Sequence, residues 1–254
     1  MKILILSALS QEYAPLKKLF PALRPVRKGP FRKFALHLPD KEITLIECGM
    51  GDKAVKEALG GESAVSPDLL IFSGFAGGLH PGLSAGSVCF AANTRHIVAK
   101  TTYGFRFPDE LAQFLANHRI TPVLALSAKT PGNKQLLSAQ AFGEPAVLDM
   151  ETATVAEEAL ARNIPCICFR AVSDAVDHDL GFNLEDISDE QGRVRPFRVL
   201  KTICKKPSSA RSFFLLWRGS RLAAKNLCGL VAAFLNLPAS ELSRMAAGIR
   251  VERR

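Results

Sequence analysis

Residues 147–174 read VLDMETATVAEEALARNIPCICFRAVSD, and this stretch predicts the fold. A short apolar strand ends on Asp149 and Glu151, and the Ala-, Glu- and Leu-rich segment after it has the apolar spacing of a helix. A second apolar run, CICFRAV, suits a buried parallel strand and ends on Ser173 and Asp174. Such a strand-helix-strand unit predicts that both acidic ends reach the carboxyl edge of a sheet, where ligands bind.

Strands and helices alternate through the preceding residues as well. The first residues, MKILIL, predict a buried strand, and Ser10 is suited to cap a helix that carries Glu12 in its first turn. The strand PDLLIFS at 67–73 runs into a glycine-rich turn at 74–78, whose backbone can approach a strand or a ligand closely. Residues 100–108 read as a loop. The alternation predicts one α/β domain with a mixed, largely parallel sheet.

Length and composition place the chain among globular proteins. Its 254 residues, 48% of them hydrophobic, suffice for a large core. The apolar run ILIL near the N-terminus is too short for a signal peptide or a membrane span, so we expect a cytoplasmic protein. Six cysteines without Cys-x-x-Cys spacing predict reduced core thiols, and neither a metal site nor a cofactor is expected. These are Cys48, Cys89, Cys166, Cys168, Cys204 and Cys228.

Positive charge is concentrated near the C-terminus. The chain has a net charge of +9, yet residues 191–240 alone hold ten basic and no acidic side chains. Residues 1–190 hold nineteen basic and twenty-two acidic side chains. Within the single predicted domain, residues 1–254, we therefore separate a core of about 1–180 from a basic helical extension of about 190–240.

The basic extension has three interpretations. Its apolar positions suit a helix that closes the core, which is the first interpretation. The run from Ser212 to Trp217, flanked by Arg211 and Arg218, also suits a helix on an anionic membrane surface. A nucleic-acid patch would have the charge, but no recognisable binding module is present. We therefore expect no nucleic-acid partner and keep peripheral membrane contact as an option.

Four motifs together carry a resemblance. They are MKILILSALSQE at 1–12, SGFAGGL at 73–79, LDMETATVAEEA at 148–159 and FRAVSDAVD at 169–177. Their order and spacing resemble the purine nucleoside phosphorylase and methylthioadenosine/S-adenosylhomocysteine nucleosidase superfamily. The segment DEQGRVRPFRVLKTICKKP and the helix beyond it are similar to the hopanoid-associated (adenosylhopane) branch. The resemblance implies a three-layer α/β/α nucleoside phosphorylase-like fold with extra C-terminal helices.

The resemblance implies catalytic roles for four residues. Asp174 would protonate the purine base at N7, oriented by Ser173, so that the base leaves in its neutral form. A general acid has to hold its proton near neutral pH, which requires an enclosed or hydrogen-bonded pocket. Glu12 would activate the attacking water, and Arg170 would help to place that water.

The resemblance also implies binding roles at the sugar and the base. Glu151, together with Met150, would grip the ribose hydroxyls and stabilise the oxocarbenium-like sugar. Ala76 and Gly77 would line the pocket through close approach of their backbone. Phe75 stands where hydrolytic members carry a small hydroxyl residue, so it would narrow the water side or close over an apolar group.

Each of these roles has an ordinary structural alternative. Glu12 could complement a helix dipole, and Asp174 and Glu151 could be solvated acids at strand ends. Arg170 needs a partner because an unpaired buried guanidinium is costly, and Glu151 is one choice. Asp149 is expected to make structural hydrogen bonds.

The predicted function is cleavage of the N-glycosidic bond of a 5′-substituted adenine nucleoside, with adenosylhopane of hopanoid biosynthesis as the implied substrate. Hydrolysis is favoured, because residues 7–11 lack the glycine and arginine with which phosphorolytic members bind phosphate. The alternatives are a phosphorylase, a methylthioadenosine/S-adenosylhomocysteine nucleosidase, or a non-catalytic nucleoside- or lipid-binding module. The resemblance also implies a homo-oligomer, expected to be a dimer, with a free or lipid-linked adenine nucleoside as its small-molecule partner.

Overall fold

The computed structural model describes residues 1–26, 29–61, 66–129, 134–139, 141, 143–176 and 209–254. Cys204 and the segment DEQGRVRPFRVLKTICKKP lie outside the described residues. One mixed β-sheet forms the centre of the described part, and helices pack on both of its faces. The predicted α/β fold class is therefore confirmed.

Eleven strands of the described chain form this sheet. In chain order they are β1 (Lys2–Ser7), β2 (Arg24–Val26), β3 (Arg32–Leu38), β4 (Lys41–Glu47), β5 (Leu69–Gly78), β6 (Val88–His96), β7 (Thr101–Arg106), β8 (Thr121–Ser127), β9 (Ala146–Asp149), β10 (Cys166–Asp174) and β11 (Arg250–Arg253). Their order in the sheet is β11-β7-β6-β8-β9-β5-β1-β4-β3-β2, and β10 pairs with β5 and β6. The strand β1 is parallel to β4 and β5, and β8 is parallel to β6 and β9.

The two strands of the 147–174 stretch approach β5 from opposite directions. β10 runs parallel to β5, whereas β9 runs antiparallel to it, so that Gly77 lies opposite both Leu148 and Asp174. The chain that leaves β9 therefore points back along β5 toward Gly74. The acidic residues at the ends of β9 and β10 therefore meet beside one stretch of β5. The sequence had predicted two parallel strands whose acidic residues lie at the same edge of the sheet.

Helices form the two outer layers. They are α1 (Ser10–Tyr13), α2 (Leu16–Leu19), α3 (Asp52–Gly61), α4 (Asp109–Asn117), α5 (Lys134–Ala139), α6 (Thr152–Ala161), α7 (Ser209–Leu235) and α8 (Ala239–Gly248). Ile3 and Ile5 of β1 pack on the face covered by α1, α2, α4, α7 and α8, whereas Leu4 and Leu6 pack on the face of α3 and α6. This alternation follows the two-residue period of a strand and places apolar side chains in both layers.

Four local predictions differ from the structure. The glycine-rich segment after residue 73 is no turn but part of β5, and the predicted loop at 100–108 contains β7, which pairs with β6 and β11. Ser10 is the first residue of α1 and not its cap. The predicted single helix is divided, because Pro15 caps a second one, α2. β7 pairs with β6 across the short connection 97–100 and with β11 at the far end of the chain, and only the second pairing lies outside the local sequence.

The described cysteines behave as predicted. Cys48, Cys89, Cys166, Cys168 and Cys228 are buried and free. The sulfur atoms of the β10 pair lie 3.8 Å apart on one side of the strand. Among the described residues, no group of three or more His, Cys, Asp or Glu side chains could hold a metal ion.

The basic extension contributes α7, which packs into the core along one side. Leu227, Val231 and Phe234 belong to the same apolar cluster as α1 and α4, which agrees with a helix that closes the core. Within the part of the chain that the structure describes, no single helix is long and apolar enough to cross a membrane. The helices α7 and α8 are long and apolar enough only when they are taken together, and the chain bends by 103° between them.

Candidate active site

The site is built around the stretch of β5 from Gly74 to Gly77. Arg170 of β10 lies opposite Gly74, and Asp174 lies opposite Gly77. A β-bulge between Val172 and Asp174 shifts the register between these two pairs, as bulges beside active sites often do. Each of the two charged side chains therefore faces a glycine, and the glycines are about 10 Å apart along an extended strand.

Arg170 is fully buried and is held by two polar neighbours. Its Nη2 lies 2.8 Å from Asp149 Oδ2, and its Nε and Nη2 donate to Thr152 Oγ1 at 2.9 and 2.7 Å. The guanidinium also stacks on the ring of Phe72, with 3.8 Å between Cζ and the ring centroid. Glu151 is farther away, at 4.0 Å from Nη2. Asp149 is therefore the nearer carboxylate partner of the guanidinium, and Glu151, the partner that the sequence suggested, is a second one at a longer distance.

One nitrogen of this guanidinium has no hydrogen-bond partner. Among the described residues, Arg170 Nη1 is the buried side-chain nitrogen or oxygen left unpaired. A Cβ atom added at Gly74 would lie 2.4 Å from this nitrogen and 2.9 Å from Glu12 Oε1. Glycine at this position makes room for both charged groups. Because an unpaired buried donor is costly, the site is suited to bind a polar ligand there.

Glu12 is buried at the start of α1, directly after β1. Its Oε2 accepts the N–H groups of Ala8 and Leu9 at 2.8 and 2.9 Å, and its Oε1 accepts that of Phe75 at 2.9 Å. A carboxylate has about four acceptor positions, so one stays available on Oε1. Burial raises the pKa of Glu12, while the Phe75 N–H and the Arg170 charge oppose the rise. The contacts to Ala8 and Leu9 are those of a first-turn glutamate that caps α1, as the structural alternative expected, while Oε1 faces Gly74 and Arg170; the role of Glu12 in activating water stays a prediction.

Glu151 is buried between β9 and α6. Gly51 donates its backbone N–H to Glu151 Oε1 at 2.8 Å, so the glycine turn after β4 binds a carboxylate of the chain itself. Burial raises the pKa of Glu151 to about 8, Arg170 opposes this rise and Asp149 adds to it. A carboxylate in such surroundings is stabilised by a ligand that brings hydroxyl donors or positive charge.

Asp174 ends β10 in an enclosed position. It is buried, and Ser173 Oγ donates to its Oδ1 at 2.6 Å, which is the predicted orienting contact. The same hydroxyl lies 3.4 Å from the carbonyl oxygen of Ala76. The enclosure and the serine contact fit the role of a general acid, which stays a prediction.

Lys134 belongs to this site, although the sequence did not predict it. Its Nζ forms an ion pair with Asp174 Oδ2 and lies 3.1 Å from the carbonyl oxygen of Ala175. Lys134 is the first residue of α5, where a positive charge opposes the helix dipole. That placement is the signal that could have identified it. Because the carboxyl group binds an ammonium group here, Asp174 can deliver a proton only when Lys134 moves away or supplies the proton itself.

Three of the predicted binding residues are less enclosed. Met150, Phe75 and Gly77 are half-buried, and the ring of Phe75 packs against the apolar cluster on the α7 face. The contribution of Phe75 to the polar site is its backbone N–H, which binds Glu12. Its proposed effect on the water side stays a prediction.

A separate cavity of about 340 Å³ lies beside α3 and α6. Its wall includes Asp52, His96 and Thr154, with 3.3 Å between Asp52 Oδ2 and His96 Nε2. Within the described residues, none of the predicted site residues lines this cavity. The polar groups that fit the predicted chemistry therefore lie along β5, apart from the cavity.

The polar groups along β5 have complementary chemistry. Glu12 can accept a proton from a ligand that Arg170 Nη1 also binds, and Asp174 can donate a proton farther along the strand. Glu151 adds a buried carboxyl group near the guanidinium. The arrangement suits a reaction that adds a nucleophile at one point and protonates a leaving group at another.

Comparison with known sequences identifies the family. The family profile described as "Phosphorylase superfamily" matches residues 2–139 and 124–205. A 5′-methylthioadenosine/S-adenosylhomocysteine nucleosidase of Haemophilus influenzae (strain PittEE) is 26% identical over 228 residues, which cover 80% of this chain and 99% of the relative.

Solved structures agree with this match at the level of the fold. The 5′-methylthioadenosine/S-adenosylhomocysteine nucleosidase of Neisseria meningitidis, in complex with methylthio-immucillin-A, has a TM-score of 0.66 at 18% identity, covering 92% of this chain and 98% of the other. The futalosine hydrolase of Helicobacter pylori has a TM-score of 0.65 at 18% identity with the same coverage. Since the profile matches well over half of its residues, the chain belongs to the phosphorylase superfamily.

Proposed function

We propose that this chain is an enzyme that hydrolyses the N-glycosidic bond of a 5′-substituted adenine nucleoside and releases adenine. The observation that carries the proposal is the placement of an unpaired buried donor, Arg170 Nη1, and a carboxylate acceptor, Glu12 Oε1, around Gly74. A water molecule can accept from the first and donate to the second. Its oxygen would then be positioned and activated by the same two contacts.

Each of the three buried acidic residues has one role in the proposed reaction. Glu12 takes a proton from the water as its oxygen bonds to C1′ of the ribose. The Glu151 carboxylate stabilises the positive charge that develops on the sugar. Asp174, in its protonated form, gives its proton to N7 as the bond between C1′ and N9 breaks. Adenine leaves as a neutral base, and exchange with solvent removes the proton from Glu12 and restores the one on Asp174.

The compared proteins support the substrate class. The relative from Haemophilus influenzae and the structure from Neisseria meningitidis are named as nucleosidases of 5′-methylthioadenosine and S-adenosylhomocysteine, which are both 5′-substituted adenosines. The Helicobacter pylori structure is named as a hydrolase. Nucleosidase and hydrolase names favour water as the acceptor over phosphate.

Phosphorolysis is the second candidate, because the matching family is described as a phosphorylase superfamily. The two are separated by incubating the purified chain with adenosine, methylthioadenosine and adenosylhopane, with and without inorganic phosphate, and measuring free adenine. We expect adenine without phosphate. A strict phosphate requirement would overturn hydrolysis and retain cleavage of the bond.

The role of Asp174 is tested with Asp174→Asn, which keeps the shape of the side chain but cannot donate an acidic proton. We expect adenine release to fall by a factor of 10² or more, in the range by which general acids accelerate reactions. Asp109→Asn, at the exposed start of α4, is the matched control and should keep the wild-type rate. Wild-type activity in Asp174→Asn would show that the acid is another residue. If the unaltered chain binds nucleosides but releases no adenine, the binding-module alternative is correct.

Adenosylhopane as the substrate stays a prediction, and so do a homo-oligomeric state and a cytoplasmic location. The substrate panel decides the first of these. Preference for adenosylhopane over methylthioadenosine by kcat/KM would support the hopanoid assignment, and the reverse order would support a methylthioadenosine/S-adenosylhomocysteine nucleosidase.

A further inference from the structure

The first half of α7 exposes large apolar side chains to solvent. Phe214, Trp217 and Leu222 are 58%, 55% and 46% exposed, although side chains of this size are usually buried. Phe214 and Trp217 lie side by side, with 6.1 Å between their ring centroids. A cluster of exposed aromatic residues within two turns of one helix marks a contact surface.

Basic side chains share this surface. At 3.6 residues per turn, six exposed residues of α7 fall within about 140° of the helix circumference. They are Phe214, Trp217, Arg218, Arg221, Leu222 and Lys225, which we call the α7 outer face. The guanidinium of Arg221 stacks on the ring of Trp217, with 4.9 Å between Cζ and the centroid. No acidic residue occurs in the chain from 191 to 240, so α7 has no acidic side chain of its own to neutralise these basic ones.

The opposite side of α7 is fixed to the site strand. Gly219 is buried and so close to β10 that an added Cβ would lie 2.2 Å from the carbonyl oxygen of Ser173. Leu227 and Phe234 continue this side into the core. The helix therefore presents its outer face rigidly, and it cannot turn that face inward without losing these contacts.

We propose that the α7 outer face binds the surface of an anionic lipid bilayer. Aromatic rings flanked by arginine and lysine are the composition of helices that lie in the headgroup region, where the rings enter the acyl boundary and the cations contact lipid phosphates. The absence of acidic residues in the surrounding sequence gives the charge complementarity that such a surface needs. Since α7 has its inner side in the protein core, the contact is peripheral.

This placement has a consequence for the active site, which rests on the proposed function. The residue next to the general acid, Ser173, touches the inner side of α7, so the acid lies about one helix diameter, roughly 10 Å, behind the bilayer surface. Vesicle binding is measured without any nucleoside, so its failure is separate from a failure of the proposed reaction.

The chain contains its own probe for the test. Trp217 is the single tryptophan, so selectively excited tryptophan fluorescence reports on the α7 outer face alone. The full chain is mixed with phosphatidylglycerol vesicles or with phosphatidylcholine vesicles at low salt, and binding is measured by co-sedimentation. We expect binding to the anionic vesicles that weakens with salt, a blue shift of the Trp217 emission, and quenching by lipids brominated in the acyl chain.

Two variants distinguish the contribution of positive charge to vesicle binding from the contribution of apolar side chains that enter the bilayer. Arg218→Gln combined with Arg221→Gln should weaken binding to anionic vesicles about thirtyfold, since each basic side chain at such a surface contributes roughly fivefold. Phe214→Ser should weaken it about tenfold or more through lost apolar burial. The matched controls are Arg119→Gln and Val98→Ser, exposed residues outside α7 that should leave binding unchanged.

Several outcomes would overturn the proposal. One is no binding to phosphatidylglycerol vesicles at low salt, and another is binding that the α7 variants do not weaken. Binding of duplex or single-stranded DNA in place of vesicles would assign the face to nucleic acid. Self-association that shifts the Trp217 emission in the absence of lipid would assign it to a second copy of the chain.

Discussion

Gly74→Ala adds one methyl group at the point where Arg170 and Glu12 meet. The new Cβ would lie 2.4 Å from Arg170 Nη1 and 2.9 Å from Glu12 Oε1, whereas ordinary contacts begin at 3.4 Å, so the arginine atom has to move by about 1 Å. Neither group moves freely. Asp149 and Thr152 hold the guanidinium, and three backbone N–H groups hold the carboxylate.

The expected effect is a large loss of activity with a moderate loss of stability. Overpacking of a core position costs about 1–3 kcal/mol, and a displacement of about 1 Å of positioning groups lowers activity about 10²-fold. Adenine release gives kcat/KM, and urea unfolding gives the free energy of unfolding. The strain comes from lack of space alone, because Gly74 does not have a left-handed backbone conformation.

Two other glycines serve as controls for Gly74→Ala. Gly229→Ala, in α7, meets no atom within 4 Å and should stabilise the helix by about 1 kcal/mol without changing kcat/KM. Gly77→Ala meets the end of the flexible Lys134 side chain and should have an intermediate effect. If Gly74→Ala keeps kcat/KM within about threefold of wild type while the protein is folded, the reacting atoms do not lie between Arg170 and Glu12.

Four further predictions concern the charged groups. Lys134→Met removes the ammonium group that binds the Asp174 carboxyl group, so kcat/KM for adenine release should rise; loss of activity would show that Lys134 itself donates to the substrate. Glu151 acts as a carboxylate and its pKa is raised to about 8, so kcat/KM should rise with pH up to about that value, a rise that Glu151→Gln should lack. Folding raises the pKa of Glu151 from 4.5, so Glu151 contributes fully to the free energy of unfolding below pH 4.5, and this contribution is lost as the pH approaches 8. An equally steep decline of the free energy of unfolding with pH in Glu151→Gln would contradict the assignment. Asp149→Asn leaves the Arg170 charge without its buried partner and should destabilise the fold by about 3–5 kcal/mol in urea unfolding, and a change below about 1 kcal/mol would mean that Thr152 and Phe72 suffice.

Much of the fold could be predicted because it follows from local patterns. The strands Lys2–Ser7 and Cys166–Asp174 and the helix Thr152–Ala161 lie where their sequences indicated, since apolar period is a local property. The strand Thr101–Arg106 was mistaken for a loop. It is fixed by hydrogen bonds to Val88–His96 and, at the far end of the chain, to Arg250–Arg253. The first pairing is a local hairpin, whereas the second is long-range and has no counterpart in a local pattern.

The site, like the fold, follows in part from local sequence and in part from long-range contacts. The sequence alone determined that Glu12, Glu151 and Asp174 follow buried strands, and its resemblance to a known family gave them roles. Only the tertiary structure decided that β9 and β10 meet β5 from opposite directions, which brings Glu151 back toward Arg170.

The register between strands decided the remaining contacts. A bulge of one residue before Asp174 places it opposite Gly77 and leaves Arg170 opposite Gly74, so that two glycines accommodate two charges. Lys134 reaches Asp174 from an element forty positions earlier in the chain. Spacing within a strand or helix is set by backbone geometry and can be read from the sequence, whereas the register between elements depends on packing across the whole core.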